Sequence, residues 1–355
     1  MPETIFYIVK ILSLGAVSFI VAMLLTPFVT NLLYRYKLGK QIQKDAPVFQ
    51  KLHQKKSGTP TMGGVLIWGT TLIVSLVFWG LASLFDSNDF FNNLNFLTRS
   101  ETLLPLGVLV FSAIVGLADD LMGVLKLGPR GDGIEIKIKL LLYALIAIGG
   151  AWWFYAKLDW DLFYVPFVGA FNIGVWYIPV FIFVIVATSF STNETDGLDG
   201  LAGGVLLVAF SALTGIALLQ GRYNLAAFCS VIIGALLAFL WFNVHPARFF
   251  MGDTGSMSLG VTLGVIAMLT NSALLLPFIG FILVLESGSV ILQTISKKIF
   301  KRKIFISTPI HHHFEAIGWP ETKITMRFWI IAAVCAIIGL SLGIMSYQLV
   351  PIITQ

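Results

Sequence analysis

Apolar blocks of about 20 residues recur along this chain, separated by short polar breaks. A helix of that length crosses a hydrocarbon core of ~30 Å. The breaks delimit ten spans, approximately 5–33, 61–85, 102–120, 138–156, 173–192, 201–219, 225–244, 256–270, 273–296 and 327–350. The eighth is short and weakly flanked, so a nine-span arrangement stands beside the ten-span one. The first block is too long for a secretory signal and lacks an early small-x-small cleavage site, so it reads as a retained span. No linker or repeat divides the chain. The pattern predicts a single polytopic domain over residues 1–355, an all-α integral membrane protein of about ten transmembrane helices.

Charge adds an orientation. The loops predicted at about 34–60, 121–137, 193–200, 245–255 and 297–326, with the first turns of the spans that follow, carry 19 of the 23 Lys and Arg. Lys10, Arg99, Lys157 and Arg222 are the remainder. By the positive-inside rule the basic side is cytoplasmic, which puts both termini on the extracytoplasmic side. Anionic lipid headgroups account for the net charge of +5, so it implies no nucleic-acid partner. The two cysteines, Cys229 and Cys335, fall inside apolar spans and read as packing residues, with no disulfide or zinc site.

The polar motifs then all land on the cytoplasmic face: GTPTMGG (58–64), Asp119-Asp120, TNETDGLDG (192–200), FMGDTG (250–255) and TPIHHHFE (308–315). Carboxylates are expensive at a bilayer, so such residues mark a site by default. Asp119, Asp120, Asp196, Asp199 and Asp253 crowded in one cleft must protonate or be neutralised by a cation. Oxygen ligands shared with substrate phosphates suit Mg2+.

Each motif also has a plainer reading. An Asp pair at a span end can be interfacial solvation. A helix beginning near Thr195 would put Asp196 and Asp199 on one face of its first turn, where negative charge is favoured and free backbone N–H groups bind anions, or Asp196 would merely cap it. The Gly-rich pieces let backbone approach a ligand closely. Lys55, Lys56, Lys137 and Lys139 are phosphate contacts or interface anchors. Consecutive side chains at His311, His312 and His313 diverge too much to ligate one metal. One would meet the active site or a phosphate while another supports the loop, and Pro309 predicts an extended or turn segment there. Phe250 stacks on a base or anchors at the interface. Glu286, in mid-span, is functional, a helix break or an inter-helix hydrogen bond.

Taken together and in this order, GTPTMGG, ADD, NxTDGLDG, FMGDTG and TPIHHHFE resemble the phospho-N-acetylmuramoyl-pentapeptide-transferases, a branch of the polyprenyl-phosphate N-acetylhexosamine-1-phosphate transferases. The resemblance runs from about Lys56 to Glu315, and the span count extends it to nearly the whole chain. It implies transfer of phospho-N-acetylmuramoyl-pentapeptide from UDP-N-acetylmuramoyl-pentapeptide to undecaprenyl phosphate, giving lipid I and UMP. It also implies Mg2+ as cofactor, a homodimer, and a cleft facing the cytoplasm of the bacterial inner membrane. By motif, Asp119 and Asp120 match the pair serving the lipid phosphate, Asp253 the metal ligand, and Asn193, Asp196 and Phe250 the uridine pocket. Lys56, Thr61, Lys139, Asn243, Asp199 and His311 match other cleft positions, with His312 and His313 beside them. Gln293 is a looser match, and Lys137 competes with Lys139 in the alignment. Glu194 stands where this family usually has Leu, a difference that bears on the shape of the uridine pocket. A transferase of GlcNAc-1-phosphate to the same lipid is the nearest alternative reading. A polytopic transporter is a more distant one, since transporters place ionisable groups near the midplane.

Overall fold

Inside a bilayer no water satisfies backbone N–H and C=O groups, so apolar blocks close their own hydrogen bonds as helices. The computed structural model describes residues 3–36, 38–39, 58–99, 101–128 and 133–349. The chain runs α1 (Glu3–Arg35), α2 (Gly64–Leu84), a short α3 (Asp89–Leu94), α4 (Leu103–Val124) and α5 (Ile136–Lys157). Strands β1 (Leu162–Val165) and β2 (Gly169–Asn172) follow. Then come α6 (Tyr177–Thr195), α7 (Leu201–Leu219), α8 (Tyr223–Asn243), α9 (Gly252–Leu269), α10 (Leu276–Ile279), α11 (Phe281–Ile299), α12 (Ile310–Ala316) and α13 (Glu321–Leu349).

Among the described residues, nine helices are long and apolar enough to cross a membrane. The tenth candidate, expected as one span over 273–296, is a bent pair. Residues Ala273–Ile279 and Phe281–Ile299 meet at 89°, with Pro277 near the start of α10 and Gly280 at the break. The weak eighth span is one of these nine candidates, and its weakness has a cause. Within α9 94% of the residues are buried, against 28% of the apolar 18-residue stretch in α1. A helix enclosed by other helices meets little lipid and can carry Ser, Thr and Gly instead of Leu and Ile. Helix α1 shows the opposite case, with Leu12, Leu24 and Phe28 exposed.

One small element departs from an all-α fold. Strands β1 and β2 pair antiparallel, Leu162 opposite Asn172 and Val165 opposite Gly169. The Tyr164 hydroxyl donates to Ser346 O at 3.0 Å and ties this hairpin to α13. At the same end of the bundle Lys10 Nζ donates to Asn95 O (3.1 Å) and Asn224 Oδ1 (3.2 Å). The motif loops gather at the other end. Phe250 N–H donates to Pro60 O, and Gly63 and Gly64 N–H donate to Phe250 O and Met251 O. GTPTMGG and FMGDTG are therefore zipped to each other. The glycines here serve packing of backbone on backbone: a Cβ on Gly64 would collide with the main chain of Gly255. The expected close approach is to protein. Cys229 is buried, and both cysteines are free thiols.

Candidate active site

Four helix ends bring the central residues together: the C-terminal portions of α4 and α6, and the first turns of α5 and α9. Asp119 is buried at 5% exposure. Its Oδ1 accepts the Ile134 N–H at 2.6 Å. Its Oδ2 faces Lys139 Nζ at 2.6 Å, and the same ammonium reaches Asp253 Oδ2 at 2.7 Å. Asn193 Nδ2 donates to Asp253 Oδ1 and, at 3.1 Å, to Ser256 Oγ. Residues from three separate sequence motifs, with Lys139, thus form one linked cluster, as the common face of those motifs predicts.

Asp120 points to a different partner set. Its Oδ2 accepts the Thr254 N–H at 3.0 Å and its Oδ1 the Thr61 hydroxyl at 3.4 Å. Asp196 Oδ2 accepts the Gly252 N–H at 3.0 Å. The first N–H groups of a helix have no partner within it and carry partial positive charge. Asp120 and Asp196 supply acceptors for two of them at the start of α9, and so hold Asp253 in place between them.

The expected helix start near Thr195 is overturned. Helix α6 ends there, Asp196 is its C-cap, and α7 begins only at Leu201. Asp196 and Asp199 lie in a non-helical corner and face different partners. Gly200 turns this corner at φ +76°, a conformation costly for any residue with a Cβ. Asp199 Oδ2 takes His245 Nδ1 at 2.9 Å and the Ala247 N–H at 3.1 Å, while Asp199 N–H donates to Glu321 Oε1 at 2.6 Å. Asn243 accepts the Gly200 N–H at 3.0 Å and donates to Phe249 O at 2.8 Å, which binds the corner to the FMGDTG loop. Sequence reasoning passed over His245, although a polar His-Pro step directly after an apolar span was a visible signal.

The histidine run is helical, contrary to the extended segment expected from Pro309. That residue is the N-cap of α12, a place where proline's missing N–H costs nothing. His311 is fully buried, with Nδ1 3.0 Å from Glu286 Oε2. Burial alone pulls the imidazole down, but the Glu286 carboxylate outweighs it and holds the ring above the ordinary histidine value. His312 Nδ1 pairs with Glu315 Oε2 at 2.6 Å, and His313 Nδ1 accepts the Ile306 N–H at 3.3 Å. So one histidine is turned inward and another supports the loop. Gln293 is occupied with the loop as well: Oε1 accepts Ile304 and Phe305 N–H, and Nε2 donates to Phe305 O. Phe250 is half-buried between the zipped loops, and Lys56 lies outside the described residues.

Comparison with known proteins shows the family of the chain. Residues 102–271 match the model for glycosyl transferase family 4, and residues 56–67 match phospho-N-acetylmuramoyl-pentapeptide-transferase signature 1. The chain is 38% identical to the phospho-N-acetylmuramoyl-pentapeptide-transferase of Chloroflexus aurantiacus over 348 residues, 94% of this chain and 90% of that protein. The Anoxybacillus flavithermus enzyme of the same name is 38% identical, with 93% and 97% covered. The chain belongs to the phospho-N-acetylmuramoyl-pentapeptide-transferase family.

The donor set of this transferase can be tested against the magnesium that its resemblance implies. Asp119 and Asp253 converge on one cationic point, each within 2.7 Å of the same ammonium. Two carboxylates aimed at one cation, in an oxygen-rich site, fit a hard divalent ion. A second grouping, Asp199, His245 and Glu321, brings three donor atoms within 4.8 Å of one another. Its atoms are already bound to backbone N–H groups and to each other, tying the corner after α6 to α13. Both groupings offer carboxylate oxygens to a cation.

Proposed function

We propose that this protein transfers phospho-N-acetylmuramoyl-pentapeptide from its UDP-linked donor to undecaprenyl phosphate, releasing UMP and forming lipid I. The observation that carries the reading is the convergence of Asp119, Lys139, Asn193 and Asp253 in a chain of this family. Donor and acceptor are both anionic. Phosphoryl transfer asks for positioning and charge neutralisation more than for covalent help. Magnesium held by Asp253 with Asp119 would supply charge neutralisation on the diphosphate. Lys139 adds a fixed positive charge beside these carboxylates. Asp120 beside Asp119 orients the lipid phosphate, and Asn193, Asp196 and Phe250 border the nucleoside.

In the reaction an oxygen of undecaprenyl phosphate bonds to the phosphorus next to the sugar, and the bridging oxygen leaves with UMP. Direct attack fits the carboxylates better than an aspartyl intermediate. Both Asp119 oxygens are engaged by Ile134 N–H and Lys139, and both Asp120 oxygens by Thr254 N–H and Thr61. A transporter is disfavoured by Glu286, the one mid-span acid among the described residues, because it pairs with a motif histidine and not with a midplane pathway. The deciding assay supplies purified protein, undecaprenyl phosphate and magnesium with either UDP-N-acetylmuramoyl-pentapeptide or UDP-GlcNAc. Transfer from the first donor alone supports the reading; transfer from the second alone replaces it with the GlcNAc-1-phosphate enzyme.

The site is assigned to the cytoplasmic face of the bacterial inner membrane, where a soluble nucleotide donor reaches it. Ser307→Cys should label from the inside only and Asn92→Cys from the outside only. The reverse pattern would overturn the topology. Phe250 is assigned to the uracil. Base–aromatic stacking is worth ~1–3 kcal/mol, so Phe250→Ala should weaken UMP binding roughly ten- to hundredfold in titration. Affinity for undecaprenyl phosphate should hardly change. A fall in lipid binding with UMP affinity intact would move Phe250 to the lipid groove.

A further inference from the structure

Helix α11 carries Glu286, Gln293 and Ser296 toward the protein interior, all buried. Gln293 and Ser296 hold the backbone of the following loop, at Ile304, Phe305 and Arg302. Glu286 has a different partner. Its Oε2 faces His311 Nδ1 at 3.0 Å and accepts the His311 N–H at 3.4 Å. A carboxylate accepts, so Nδ1 carries a proton. Among the described residues, His311 Nε2 and Glu286 Oε1 are buried with no hydrogen-bond partner. The ring edge bearing Nε2 packs on the corner after α6, where a Cβ on Gly197 would collide with it. A buried donor without an acceptor is costly, and such an atom at the rim of a site points to a ligand.

We infer that Glu286 is a positioning residue for the transfer reaction, holding the His311 ring so that Nε2–H donates to an anionic phosphate oxygen bound beside the Asp196–Gly197 corner. The inference rests on the proposed function. The oxygen belongs either to the donor diphosphate or to the lipid phosphate. The charged and titratable groups around the ring are Glu286 from α11, Glu315 and His312 from α12, and Glu194 from α6.

The test compares Glu286→Gln, Glu286→Asp, His311→Ala and the Glu286→Gln/His311→Ala double variant in the full-length purified protein. Wild-type transfer is measured first. Its absence would sink the proposed function, whereas the outcomes below judge the Glu286 role in an active background. Glu286→Gln is expected to lower kcat roughly ten- to hundredfold, the range for a lost charge-assisted hydrogen bond. The basic limb of its pH profile should move to lower pH, because removing the carboxylate lets the imidazolium deprotonate sooner. In the His311→Ala background the same change should cost almost nothing more. Glu286→Asp, which keeps the charge, should recover part of kcat and of the limb; it decides the matter if the Gln variant does not fold. A raised KM for the UDP-linked donor identifies the diphosphate as the partner, and a raised KM for undecaprenyl phosphate identifies the lipid. Equal losses from Glu286→Gln in both backgrounds, or a basic limb that stays in place in the folded variants, would overturn the inference.

Discussion

Asp253→Asn is expected to reduce transfer by at least ~10²-fold while the protein stays folded, as judged from what electrostatic and metal contributions are worth. Asp253 Oδ2 takes Lys139 Nζ at 2.7 Å and Oδ1 takes Asn193 Nδ2. An amide has the same shape, and its oxygen can still face the ammonium. Its NH2 would then oppose the Asn193 NH2, and Asn193 can turn its own amide over to present oxygen. The local hydrogen bonds survive, and what disappears is a negative charge. Under the proposed function that charge would serve a divalent cation, and it keeps Lys139 in place. Initial rates across a magnesium series, with thermal melting of the same preparations, separate the two effects. A near-normal rate at saturating magnesium would remove Asp253 from the metal site. Unchanged melting with a collapsed rate would support its role.

The large features of this protein are legible because a bilayer imposes one requirement on every span. Apolar length reads out as helix, and the alternating placement of Lys and Arg matches the two ends at which loops gather. The motif carboxylates were legible for a similar reason: charge at a membrane face needs a cause. What sequence could not supply was direction at short range. Asp196 and Asp199 are three apart, which is one face if helical. The Gly197 and Gly200 interruptions instead make a corner, and the two acids diverge. Pro309 reads as a helix breaker, yet at an N-cap it opens the helix that carries His311 inward. The 89° bend before α11 left only a Gly and a Pro as traces in an otherwise apolar run. The hairpin at Leu162–Asn172 is four residues a side, too short to separate from loop by periodicity. Partners were the least legible of all. Asn243 and Gln293 look like site residues by motif, and in the structure both spend their amides on backbone that shapes the site.

The choice between Lys137 and Lys139, open in the sequence, yields the sharpest contrast. Both sit in the first turn of α5, two residues apart, so they point to different sides of the helix. Lys137 is exposed and Lys139 is half-buried between Asp119 and Asp253. Lys139→Met keeps the length of the side chain and removes its charge. Two carboxylates then face each other without the ammonium that now bridges them. Transfer should fall by at least ~10²-fold, since a fixed positive charge aimed at developing negative charge is among the larger contributions to catalysis. Higher magnesium should recover part of the rate, because the vacated position favours a cation. Lys137→Met should stay within about twofold of the parent, as expected for a solvated lysine whose neighbours are screened. Initial rates for the two variants, measured side by side across a magnesium series, decide the point. If Lys137→Met were the damaging change and Lys139→Met the mild one, the ammonium between the two aspartates would be a resting contact and not part of the reaction.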